Sequence, residues 1–128
     1  SNFAWVRVNS AAYGMLVNVI GFYNTPGDCA LAGTGVFVVR NSCFSSTNFT
    51  VNGVFANNVA SNPKFADHLS GNYRLASGSP CINTGLNAGW GTGALDLDGN
   101  RRIDPWSNII DMGCFEYTVA HGTLFSVY

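Results

Sequence analysis

An all-β chain is what this sequence predicts, on three observations. Apolar residues nowhere recur at three- and four-residue spacing, because Gly, Asn, Ser or Thr interrupts every apolar run within a few residues, and helix content should therefore be small. Short β-branched and aromatic runs bounded by turn residues recur instead. An Asn-x-x-Phe motif also repeats at 41–44, 52–55 and 62–65, spaced by 11 and then 10 residues, and Phe22 precedes Phe44 by 22. A parallel coil sets like residues over like, with aromatics stacked inside and Asn at the bends, and leaves such an echo. A β-sandwich with Asn-rich turns is the alternative on periodicity alone.

In chain order the strand-like runs are 3–8, 15–23, 36–39, 49–55, 73–75 and 123–127. Each is short, rich in Val, Ile, Phe or Tyr, and closed by Asn, Gly, Ser or Pro. At 128 residues the chain has the size of one domain. Charged residues make up 10% of it, far below the usual quarter, so solubility rests on Asn, Ser, Thr and Gly, as on a secreted β surface. The net charge of -1, with Lys64 and five Arg residues scattered, offers no basic stripe for a phosphate backbone and excludes nucleic acid. The most apolar stretch, 36–39, is too short to span a bilayer, which excludes membrane insertion. No charged and then apolar leader opens the chain, so it reads as a mature product or a fragment.

Cys29, Cys43, Cys81 and Cys114 are 14, 38 and 33 residues apart, which fits no zinc or iron–sulfur spacing. Their even number and the lysine-poor polar composition point to disulfides and an oxidising compartment. Of three pairings the preferred one is Cys29 with Cys43 and Cys81 with Cys114; four buried thiols are the alternative.

From Asn62 the character changes. Asn-Pro-Lys-Phe (62–65), Gly-Asn-Tyr-Arg-Leu (71–75), Gly-Ser-Pro-Cys-Ile-Asn (78–83), Asp-Leu-Asp-Gly-Asn-Arg-Arg-Ile (96–103) and Asp-Met-Gly-Cys-Phe-Glu-Tyr (111–117) follow in order. The succession resembles the C-terminal segment of secreted bacterial right-handed parallel β-helix proteins, some of them akin to polysaccharide lyases, and 36–44 resembles a rung of that fold. The resemblance implies a short right-handed parallel β-helix of about two to three rungs over 1–61. It further implies an irregular C-terminal cap over the last rung at 62–117, and a terminal β-strand at 118–128 is expected after it.

Asp96, Asp98 and Asn100 alternate as in a calcium loop. Gly99 stands fourth and Ser107 twelfth, however, so the EF-hand pattern is not met, and turn capping or pairing with Arg101 and Arg102 is the simpler role. Calcium is thus the one candidate cofactor. Asp67, Asp104, Asp111 and Glu116 show no spacing that places a glycosidase pair. Lys64 and Arg40 are the only lyase-type bases near rungs, and His68 and His121 belong to no triad motif. No catalytic residue is expected. Trp5, Trp90, Trp106 and the tyrosines are candidates for a sugar platform or for core packing. Asn48 heads a glycosylation sequon.

The first functional expectation is a non-enzymatic extracellular or cell-surface module that self-associates into an assembly or fibre. Phe3, Trp5, Val6 and Val8 at one end, and Leu124, Phe125, Val127 and Tyr128 at the other, would be the joining strands. The alternative is the end of a secreted carbohydrate-active protein, with polysaccharide as partner. Aromatics on an exposed face would favour it.

Overall fold

The computed structural model describes residues 5–7, 12–24 and 28–119. Its strands are β1 (Trp5–Arg7), β2 (Tyr13–Val17), β3 (Ile20–Gly21), β4 (Ala30–Ala32), β5 (Val36–Arg40), β6 (Cys43–Phe44), β7 (Gly53–Ala56), β8 (Phe65–Asp67) and β9 (Asn72–Leu75). The protein is all-β, and its first seven strands pair in parallel: β1 with β4, β2 with β5 and β5 with β7, and β3 with β6. The hairpin β8–β9 is antiparallel, as is an isolated bridge between Leu95 and Arg101.

Strand registers set one constant against one variable. Tyr13 stands beside Val36 and Ile20 beside Cys43, each 23 positions on. Phe37 stands beside Gly53 and Cys43 beside Val59, each 16 positions on. Between β2 and β3, and again between β5 and β6, only two residues turn the chain. The first of each pair, Asn18 (φ 59°) and Asn41 (φ 48°), is left-handed, and so is Asn57 (φ 57°) just after β7. Asn tolerates this conformation because its short side chain bonds locally. The asparagines therefore repeat at the strand registers, 18 to 41 to 57.

This corrects the sequence reading of the echo. Its spacing of 11 and 10 does not match the registers, and Phe44 lies beside Gly21, not Phe22. The run 15–23 is likewise no single strand but two, broken at Asn18.

Alternation on β5 buries Phe37 and Val39 completely. With Phe44 they form a core that Leu16, Leu31, Phe49 and Phe55 complete, Phe49 stacking on Phe55 at 5.0 Å. A second cluster of Cys43, Leu75, Cys81 and Met112 joins the parallel strands to the C-terminal half.

Residues 76–119 have little regular structure and lie along the corners of the parallel strands. Asn18 takes both backbone groups of Leu86, donating to its oxygen at 2.9 Å and accepting from its nitrogen at 2.6 Å, while Asn41 donates to Thr84 O at 3.0 Å. Gly113 N donates to Asn18 O at 2.7 Å. Gly85 fits because a Cβ there would come within 2.7 Å of Ile110 O and 3.0 Å of Asn18 Oδ1. The segment thus docks on the corners that follow β2 and β5.

Candidate functional site

That docking leaves a groove of about 860 Å³ between the corner after β3 and the C-terminal segment. Tyr23 enters it in the left-handed region (φ 63°), a conformation that costs a bulky residue of order 1–3 kcal/mol and clusters at functional positions. His68 stacks on the Tyr23 ring at 3.8 Å and 2°, and Phe22 meets that ring edge-on at 5.2 Å. His68 begins the single helical turn (His68–Ser70) of the β8–β9 hairpin, where Asp67 accepts from Ser70 N. On β9, Tyr73 packs edge-on to Phe65 at 5.3 Å. Trp90 and Phe115 complete the lining, with guanidinium groups against their rings: Arg102 at 5.0 Å from Trp90 and Arg74 at 4.6 Å from Phe115. Tyr23, Tyr73 and Trp90 keep 45%, 49% and 43% of their surface exposed, enough to offer ring area to a ligand.

Behind the groove a buried ionic cluster fixes the segment. Arg102 donates to Glu116 at 3.0 Å and to Asp111 O at 3.3 Å. Its Nε is buried with no hydrogen-bond acceptor among the described residues. The Asp111 carboxylate accepts from Asn83 N and Tyr117 N, and its own N–H donates to Glu116. Burial pushes both carboxyls up, Glu116 to about 8, with Asp111 and Asp96 adding repulsion that Arg102 only partly offsets. Sequence spacing gave no sign that Asp111 and Glu116 meet. Both carboxyls accept backbone or Arg102 donors, and both residues are buried.

The Asp96–Asp98–Asn100 alternation is a turn. Asp96 Oδ1 accepts from Asp98 N and Asn100 N, and Oδ2 from Glu116 N. Asp98 faces away and holds Arg74 through two bonds of 2.6 Å, which keep its carboxyl below the usual range. The expected partners Arg101 and Arg102 are not the ones used. Among the described residues no cluster of His, Cys, Asp or Glu is arranged to hold a metal ion.

The other candidates are dispersed. Lys64, Arg40 and Asn48 are exposed. Trp106 lies at a second groove of about 570 Å³ with Asp104, whose carboxylate caps the turn by accepting from Trp106 N and Ser107 N. The four cysteines are free thiols, and the two that share a buried cluster are Cys43 and Cys81, which is neither preferred pair. Cys29 lies against the Phe37 core, and Cys114 is exposed. Trp5 and Val6 are in β1, paired within the chain to Ala30 and Leu31. Phe3, Val8, His121, Leu124, Phe125, Val127 and Tyr128 lie outside the described residues, as does nearly all of the expected strand 118–128.

Compared with known proteins, the chain matches no family model, no curated protein and no solved structure.

Proposed function

We propose that this chain is a non-catalytic, extracellular module, a short right-handed parallel β-helix that binds carbohydrate in its aromatic groove. The coil is supported by three sets of parallel strands, two of which share a register of 23, by the asparagines at matching corners, and by the strong preference of parallel crossovers for the right hand. The likeness of 62–117 to the ends of secreted β-helix proteins agrees with it. An extracellular site is supported by the charge-poor, Asn- and Ser-rich composition.

The carbohydrate reading is carried by one observation: Tyr23, Tyr73 and Trp90, each about half exposed, line a single concave site. Ring faces there complement the C–H faces of pyranoses, while the tyrosine hydroxyls and His68 offer polar contacts at the edges. Affinity electrophoresis of the purified chain through gels containing soluble xylan, pectin, β-glucan or mannan tests it. Retardation by at least one polymer, abolished in the Tyr73→Ala/Trp90→Ala variant, is the expected result. Unretarded migration in all four overturns the reading.

Self-association is the second reading, favoured by a separate feature. The outer edge of β7 has no partner strand among the described residues, and the outward face of its sheet presents Tyr13, Met15 and Val54.

A further inference from the structure

Cys43 sits on β6 and Cys81 in the turn after Pro80, 38 positions apart in the chain, yet both are wholly buried in one cluster with Leu75 and Met112. Both belong to that one packed cluster, and the Cys43 thiol donates to Ser61 O at 3.1 Å. Two cysteines packed in one cluster need only a local closing movement to bring their sulfurs to bonding distance. Cys81 can supply it, because it lies in a turn and not in a strand ladder. The pair also occupies the joint between the parallel strands and the C-terminal segment, where a cross-link would fasten the two halves.

We propose that Cys43 and Cys81 close into a disulfide as the chain folds in an oxidising compartment; this rests on the extracellular reading for its oxidant alone. The co-reactant is a small-molecule disulfide such as oxidised glutathione. The Cys43 thiolate attacks one glutathione sulfur, the glutathione S–S bond breaks, and one glutathione thiolate leaves. Cys81 then gives up its proton and attacks the Cys43 sulfur, expelling the second glutathione as thiolate. Two cysteines are oxidised and one glutathione disulfide is reduced to two thiols. Neither thiol is exposed in the closed cluster, so the exchange precedes final packing.

Trypsin places each cysteine in a separate peptide, since Arg40, Lys64, Arg74, Arg101 and Arg102 lie between them. The full chain, refolded from denaturant in a glutathione redox buffer, alkylated and digested without reduction, should yield peptide 41–64 joined to peptide 75–101, two hydrogens lighter than their sum. Cys29 and Cys114 should be alkylated, and Cys81→Ser should abolish the link. The oxidised wild type should melt roughly 10 °C above its reduced form, and Cys81→Ser should show no dependence on oxidant. Recovery of 8–40 joined to 41–64, or of all four cysteines alkylated, overturns the proposal. A link formed in the redox buffer but missing from protein isolated from its own host would count against the extracellular reading and leave the pairing intact.

Discussion

Asn18, Asn41 and Asn57 share a left-handed backbone after successive strands, but they do not carry equal weight. Asn57 is exposed, so Asn57→Ala should cost only the conformational penalty, about 1 kcal/mol. Asn18 is buried and binds both backbone groups of Leu86. Its alanine variant adds two lost hydrogen bonds and should cost about 2–4 kcal/mol in total. Asn18→Gly restores the backbone freedom without the bonds and should fall between. Urea unfolding midpoints of the three variants check this order, and equal losses at 18 and 57 would show that the Leu86 contact contributes nothing. Glu116 makes a residue-level prediction about pH. Its folded pKa of about 8 lies above the ordinary 4.5, so the folded chain binds more protons than the unfolded chain between those values. The stabilisation is complete below about pH 4.5 and is lost as pH rises through about 8. Melting temperature should therefore fall between pH 5 and 8, and Glu116→Gln, which stays neutral, should flatten that slope. An unchanged slope would place the titration elsewhere.

At the scale of elements, β5 was legible because Val36, Phe37, Val38 and Val39 form a β-branched and aromatic run closed by Arg40 and Asn41. The strands β4 and β6, three and two residues long, carry too little pattern to be found. The echo misled for a physical reason. In a stack only the corners keep a fixed length, while the connecting loops vary, so registers of 23 and 16 defeat a search for one period. The strand register was visible only as the Asn that follows β2, β5 and β7. Much of the groove was likewise present in the motifs, in Tyr73, Arg74, Asp98, Arg102 and Phe115, but not its pairings. Arg74 reaches Asp98 across 24 positions, and nothing local in the chain selects Asp98 over Asp96. Tyr23 was named only together with the other tyrosines, because what sets it apart is its left-handed backbone, which the sequence does not display. The groove's elements also separate binding from stability. Trp90 is 43% exposed and packs mainly under Arg102, so Trp90→Ala should lower the melting temperature by only a few degrees while removing polymer retardation. A large loss of stability would make Trp90 part of the fold's support.

For the whole molecule the question is what the outward face of the β2–β5–β7 sheet meets. Tyr13 is 77% exposed, Met15 68% and Val54 48%, and their strands are flat, short and parallel. Arg40 is the one charge carried by these three strands. Exposed apolar sheet beside an unpaired edge is the combination that soluble proteins usually blunt with Lys or Pro. If that surface joins copies of the chain, Val54→Lys should break the contact without disturbing the core, since Val54 points outward from β7 opposite Val38. Light scattering after size exclusion should then give the wild type a mass well above 13.6 kDa and the variant 13.6 kDa. A wild type already at 13.6 kDa would remove self-association and leave the groove as the working surface. An associated variant would move the joint away from β7.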